Sequence, residues 1–143
     1  MKTLNAPNIR WMRKDDFSFL KEIDSNLDVK FFLKFISKKN SICYVVEFEN
    51  KILGFAFFKF YENSIKINKI AIHPDYRRKG FASLLISKIK GKISNKRNMI
   101  SAFISEWDLE SQLFFKKSGF LALSKIVHNE EIYLKFSYEK ELF

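Results

Sequence analysis

The period of the apolar positions changes several times along the chain, and the changes outline a mixed fold. Ile9 to Met12 forms a short β-type run, and Lys14-Asp15-Asp16 then supplies a start signal for a helix carrying Phe17, Leu20 and Ile23. A second helix is expected from about Asp28, with Phe31, Phe32, Phe35 and Ile36 at helical spacing. Ser41 to Phe48 reads as a strand. Asn50-Lys51 turns it into Ile52 to Tyr61, and Glu62-Asn63-Ser64 turns again into Ile65 to Ile72, giving an antiparallel meander. In its third strand Ile65 and Ile67 share one parity while Ile70 and Ile72 share the other. One extra residue near Asn68-Lys69, a β-bulge, accounts for the change, as does a strand buried on both faces.

Phe81, Leu84, Leu85, Ile89 and Ile93 mark the buried face of a further helix, and Met99 to Ser105 the next strand. Strand, helix and strand make a βαβ unit, so Ile65–Ile72 and Met99–Ser105 should run parallel. Asp108 can cap a last helix that turns Leu109, Leu113 and Phe114 to the core and stops at Lys116-Lys117-Ser118-Gly119. Phe120 to Val127 and Glu131 to Tyr138 are the final strands. No repeat, linker or second domain interrupts the order, so the 143 residues read as one domain, 1–143.

The chemistry concentrates between Ile70 and Ala82. An apolar strand end, Ile70-Ala71-Ile72, runs through His73-Pro74 into Asp75-Tyr76-Arg77-Arg78-Lys79-Gly80 and then into a helix beginning Phe81-Ala82. Consecutive N–H groups at a helix start can converge on one anion, and the helix dipole adds attraction. Gly80 and Ala82 leave room for a ligand at the backbone, and Arg77, Arg78 and Lys79 add positive charge. The arrangement suits a pyrophosphate; the plain alternative is a basic surface turn.

Composition sharpens this only in part. The 17 Phe, among 47% hydrophobic residues, read first as core fillers, Phe31-Phe32, Phe57-Phe58 and Phe114-Phe115 included. Cys43 is the single cysteine, which rules out an internal disulfide and a zinc cluster, and its apolar setting fits a buried thiol. The net charge of +10 fits a ribosome, nucleic acid, an acidic peptide or a polyanionic cosubstrate, but no nucleic-acid motif accompanies it. The densest run, Lys88 to Lys92 with Lys96-Arg97, reads as the solvated end of a helix. No apolar run approaches the roughly 20 residues of a membrane span, and no signal-peptide core is found, so a cytoplasmic location is expected.

Arg77-x-x-Gly80-x-Ala82 after Ile-Ala-Ile-His-Pro resembles the acetyl-CoA loop of the GCN5-related N-acetyltransferases (GNAT). Asp108-x-x-Ser111-x-x-Phe114-Phe115-x-Lys117-x-Gly119-Phe120 is similar to a second motif of that family. The likeness covers nearly the whole chain and, within the family, is greatest to bacterial ribosomal-protein alanine acetyltransferases. It implies an α/β (α+β) GNAT fold: a mixed sheet of about seven strands in the order β-α-α-β-β-β-α-β-α-β-β, with a bulged fourth strand. It also implies acetyl-CoA as cosubstrate, no metal, a monomer or homodimer, and a protein or peptide N-terminal amine as acceptor. By resemblance, the backbone of Ile70, Ala71 and Ile72 holds the pantetheine arm, with Ile72 N–H as the oxyanion donor. Arg77, Arg78, Lys79, Gly80, Phe81 and Ala82 hold the pyrophosphate, and Asp108 and Phe115 line the arm.

The chain departs from the family at its proton-handling positions. Phe115 stands where members usually carry an acid Tyr, Phe103 where the alanine enzymes carry a base Glu, and Asn68 at the other usual carboxylate place. Positioning alone can carry the reaction. A water chain past Ser101 or Ser105 can carry the proton. Another residue can also take over, from Glu106, His128, Glu130, Tyr133 and Tyr61, with Tyr133 preferred because its parity opposes Ile132, Leu134 and Phe136. The family's aromatic loop before the second helix is replaced by Asp24-Ser25-Asn26-Leu27-Asp28. Two other readings stay open: a small-molecule amine acetyltransferase, and a degenerate CoA-binding or ribosome-associated module.

Overall fold

The computed structural model describes residues 6–140. In chain order these form β1 (Asn8–Trp11), α1 (Phe17–Ile23), α2 (Val29–Ile36), β2 (Ser41–Phe48), β3 (Lys51–Phe60), β4 (Ser64–Ile72), α3 (Phe81–Lys90), β5 (Met99–Ser105), α4 (Leu109–Lys117), β6 (Leu121–His128) and β7 (Glu131–Glu139). The expected order of elements holds throughout, with strand ends moved by a residue or so. One seven-stranded sheet runs β1-β2-β3-β4-β5-β7-β6. All neighbours are antiparallel except β4 and β5, the parallel pair that the βαβ reading requires.

The bulge in β4 is present. Phe57 pairs with Lys69 but Phe58 pairs with Ile67, so Asn68 is the extra residue and the side-chain parity inverts across it. On one face of the sheet, α1 and α2 bring Leu20, Ile23, Phe32 and Phe35 onto Cys43, Val45, Phe55 and Phe57. On the other, α3 and α4 bring Leu85, Ile86, Ile89 and Phe115 onto Tyr44, Ala56, Phe58, Ile65, Ile100 and Phe136. Cys43 is buried, and burial pushes its thiol pKa up, which suits an inert packing role.

Several local expectations are corrected. Lys14-Asp15-Asp16 forms a 3-10 turn ahead of α1, and Asp16 does not cap that helix. Its buried carboxylate instead accepts from the Arg13 backbone N–H (2.8 Å) and from the Arg10 guanidinium (2.8 and 3.0 Å). The β2–β3 turn is Glu49-Asn50, both left-handed, one residue earlier than expected. Phe31 is 41% exposed, so this phenylalanine is not a full core residue, and Leu84 faces outward while Ile86 takes the inner position. In α4, Leu109 and Leu113 are exposed and Phe115 is the innermost residue. Gln112 decides that rotation: its Nε2 donates to the carbonyls of Ser105 and Glu106 (3.0 Å each) at the end of β5, and Phe115 follows one turn later on the same side. α4 ends in a Schellman motif, with Phe120 N–H on Phe115 O, Gly119 N–H on Lys116 O, and Gly119 at φ 92°.

Two residues of the basic run at the end of α3, Lys90 and Arg97, have structural partners. Lys90 donates to Ser118 O and lies 4.1 Å from the Tyr138 ring centroid, and Arg97 donates to Tyr61 O (2.6 Å) and stacks on Phe60. No helix among the described residues is long and apolar enough to cross a membrane.

Candidate active site

The site begins where the sheet stops pairing. β4 and β5 are joined only from Ser64↔Met99 to Ile67↔Ala102, so the bulge at Asn68 coincides with the end of the ladder. Beyond it the backbone of β4 is paired on the β3 side alone. His73 N–H donates to Leu53 O on β3 (2.7 Å). Successive residues of a strand direct their N–H groups to opposite edges. Ala71 and Lys69 therefore also aim theirs at β3, whereas Ile70 and Ile72 aim theirs into the gap beside β5. This narrows the expected backbone donors: Ala71 lines the gap, but its N–H belongs to the sheet.

The loop that follows is held by its own contacts. His73 Nδ1 accepts the N–H of Asp75 (3.1 Å), which starts the 3-10 turn Pro74–Tyr76. Arg77 Nε donates to Ile72 O (3.1 Å) and ties the loop across the end of β4. Arg78 at φ 62° and Gly80 at φ 87° then swing the chain into α3. No side chain caps α3, so the first-turn N–H groups of Phe81, Ala82 and Ser83 have no partner within the helix.

These elements and α4 enclose a cleft of about 700 Å3. Ile70, Ala71, Ile72, Arg77, Arg78, Gly80, Phe81, Ala82, Asp108 and Phe115 all line it, so the structure brings together nearly the whole set that the sequence nominated. Lys79 is the exception; it stands outside the lining with its ammonium 5.5 Å from the Tyr76 ring centroid. Asp108 caps α4 by accepting from Ser111 N–H (3.1 Å). Phe115 forms the inner wall, packed edge-on against Phe114 and Phe120. The sequence reading missed Tyr76, Ser83, Ser111, Leu113 and Lys117, which also line the cleft. Leu113 reaches the cleft because it is exposed rather than packed in the core, and Ser111 reaches it from the first turn of α4, next to the Asp108 cap.

Gly54 has a role that no motif announced. It pairs with Ile72, and a Cβ there would meet Ile72 Cδ1 and stand 2.9 Å from Ala71 O. The missing side chain lets β3 press against the β4 segment that walls the cleft.

The candidate proton carriers are scattered. Tyr133 is outside the lining; it donates its hydroxyl to Glu131 (2.8 Å) in the β6–β7 hairpin, and that hydrogen bond to the carboxylate raises its pKa. Glu130 occupies the left-handed turn of that hairpin, beside His128 at the end of β6. Ser105 Oγ accepts from Trp107 N–H, and Ser101 is buried. Tyr61 is 42% exposed below the end of β3. Phe103 carries the Lys66 ammonium 4.9 Å from its ring centroid. Two carboxylates stand outside the sequence candidates: Glu110, in the first turn of α4, lines the cleft, and Asp24 ion-pairs with Lys69 directly after the bulge.

The family model for the Acetyltransferase (GNAT) family matches residues 6–120. The chain belongs to the GNAT acetyltransferase family. Among solved structures, the ribosomal-protein-S18-alanine N-acetyltransferase of Escherichia coli superposes with a TM-score of 0.82 at 13% identity, over 96% of each chain. NAA60 of Arabidopsis thaliana, solved with a bisubstrate analogue, gives 0.77 at 13% identity, over 94% of this chain and 98% of that one. A GNAT acetyltransferase of Elizabethkingia anophelis with acetyl-CoA bound gives 0.74 at 14% identity, over 94% and 98%. At these identities the likeness is one of fold. A search of curated proteins returns no significant match.

Proposed function

We propose that this GNAT protein is an acetyl-CoA-dependent N-acetyltransferase acting on the N-terminal α-amine of a protein or peptide. The observation that carries the reading is the cleft itself. It sets two outward backbone N–H groups of β4 beside an uncapped helix start flanked by Arg77 and Arg78. A pyrophosphate fits the helix start, because those N–H groups and guanidinium groups supply the donors that its oxygens need. The gap between β4 and β5 fits an extended amide arm, which can take the place of the missing strand on Ile70 and Ile72.

Acetyl-CoA supplies an activated acyl group. The residues of this chain hold it and steady the charge that develops. The N–H of Ile72, aimed into the gap, donates to the carbonyl oxygen as it becomes negative. The neutral acceptor nitrogen bonds to the acyl carbon, the carbon–sulfur bond breaks with its electron pair going to sulfur, the proton on nitrogen passes to solvent or a neighbouring base, and the departing thiolate takes up a proton from solvent. Phe115 and Phe103 cannot take part in that proton transfer. Rate is then governed by positioning and by the fraction of acceptor that arrives neutral. Tyr133 is the proposed reserve acid, and because its hydroxyl is donated to Glu131 outside the cleft lining it has to leave that carboxylate to serve.

The test is release of free CoA from acetyl-CoA, measured across peptide N-termini, polyamines and amino sugars, with calorimetry for cosubstrate binding. Turnover with peptide amines supports the reading. Binding of acetyl-CoA without turnover of any amine identifies a CoA-binding module, and absence of binding removes the cosubstrate assignment.

A further inference from the structure

A second hollow lies on the other face of the sheet, under α2. It measures about 220 Å3 and is lined by Lys34, Lys38, Lys59, Asn68, Ser41 and Tyr61, over a floor of Phe31 and Phe35. Its polar lining is cationic or neutral and includes no carboxylate. None of the three lysines enters an ion pair among the described residues. Ser41 Oγ is buried without a hydrogen-bond partner, so a donor hydroxyl in this lining is unspent.

Strand pairing extends the same charge along the sheet. Paired residues share a face, and Phe57, on the α2 face, sets it. Lys59 has the parity of Phe57 and pairs with Lys66; Lys66 pairs with Ser101; Phe103, two residues on, pairs with Lys135. Lys59, Lys66 and Lys135 are all half-buried on this face, and none has a carboxylate partner among the described residues. Lys69, on the same face, is neutralised by Asp24 and is not part of the row.

The hollow is tied to the cleft by the bulge. Asn68 lines the hollow, and Ile70, two residues along the strand, offers its N–H to the cleft. Two residues of strand span about 7 Å. A group seated in the hollow is therefore two or three residues of extended chain away from an amine delivered at the gap.

We infer that the hollow and the lysine row form an acceptor subsite for an acidic peptide, one whose second to fourth residues carry a carboxylate behind the reacting N-terminal amine. The inference rests on the peptide-amine reading above and names its substrate class. Half-buried lysines without a carboxylate partner among the described residues make a negatively charged acceptor favourable, and matching charge raises encounter rate and specificity. A positively charged acceptor meets repulsion at the same place.

The test uses the intact protein and three heptapeptides with the same first residue, carrying Glu, Gln or Lys at positions two to four. The acidic peptide is expected to show a KM about tenfold below the neutral one, with the difference shrinking in 0.5 M salt as the charges are screened. The pair Lys34→Glu with Lys59→Glu is expected to reverse the ranking, and the salt series on the unaltered protein decides the matter if that pair does not fold. Equal kcat/KM for the three peptides overturns the inference and leaves the peptide-amine reading standing. Failure to acetylate any of them, with acetyl-CoA still bound, overturns both. Inhibition of the acidic peptide by a short RNA of equal charge, with equal potency, also overturns it, because the face is then a general polyanion surface.

Discussion

Individual residues set the dimensions of the cleft. Gly54 is the sharpest case, because its absent Cβ is what allows β3 to lie against Ala71 and Ile72. Gly54→Ala should destabilise the fold by about 1–3 kcal/mol, since the obstruction includes a backbone oxygen that cannot rotate away. It should also raise the Kd for acetyl-CoA, measured by calorimetry, by displacing the β4 wall. Gly80 poses a different problem. A Cβ there meets nothing within 4 Å, but φ of 87° is one that a β-branched residue does not tolerate. Gly80→Val should therefore weaken acetyl-CoA binding through the backbone, more than the loss of either arginine alone. Removing Arg77 and Arg78 together should cost about 1–3 kcal/mol of binding, the scale of charged hydrogen bonds.

At the scale of elements, the first strand is locked to the sheet and to the turn before α1 by one buried charge cluster. Arg10 spans Asp16 and Glu47, with Arg10 and Asp16 largely buried. The Arg10 guanidinium, with the Arg13 N–H, holds the Asp16 carboxyl below the usual carboxylate range. A depressed folded pKa means that the unfolded chain binds the proton first. The stabilisation is thus fully present above the ordinary Asp pKa of about 3.9 and is lost as pH falls through the folded value. Urea unfolding from pH 6 down to pH 2 should show this loss, and Asp16→Asn should flatten that limb. Arg10→Met should cost about 3 kcal/mol, because it strands a buried carboxylate. The pair Asp24–Lys69 makes the corresponding link for the loop between α1 and α2, anchoring it beside the bulge.

For the whole molecule, the two faces of the split sheet carry the two halves of the proposed reaction. The α3–α4 side offers donors to an anionic cosubstrate, and the α2 side offers lysines to the acceptor. Phe103 and Phe115 carry no group that takes the amine proton, so the acceptor's own pKa should govern the pH dependence. An α-amine near 8 should then be used well at neutral pH, and a lysine side chain near 10.4 poorly. The measurement is a pH–rate profile with two acceptors of different amine pKa. An inflection that follows the acceptor agrees with this reading. One that stays at a single pH for both places the base on the enzyme, with Glu110 of the cleft lining, then Asp24, Glu106, His128, Glu130 and Tyr133, to be replaced in turn.

The sequence alone determined what depends on local order. Periodicity outlined the succession of elements, the parity change between Ile67 and Ile70 pointed to a bulge or a strand buried on both faces, between which the β3–β4 register decided, and the run from Ile70 to Ala82 marked the turn into α3, because strand period and turn chemistry act between near neighbours. Only the tertiary structure decided what depends on distant contacts. The rotation of α4 was fixed by Gln112 reaching the end of β5, which brought Phe115 inward and left Leu113 at the cleft. Asp16 was taken from its expected cap by Arg10 on β1, and Gly54 acquired its purpose from Ile72 on the neighbouring strand. The lysine row is the clearest instance: Lys59 and Lys66 meet across the β3–β4 hairpin, but Lys135 joins their face only through the register of β4, β5 and β7.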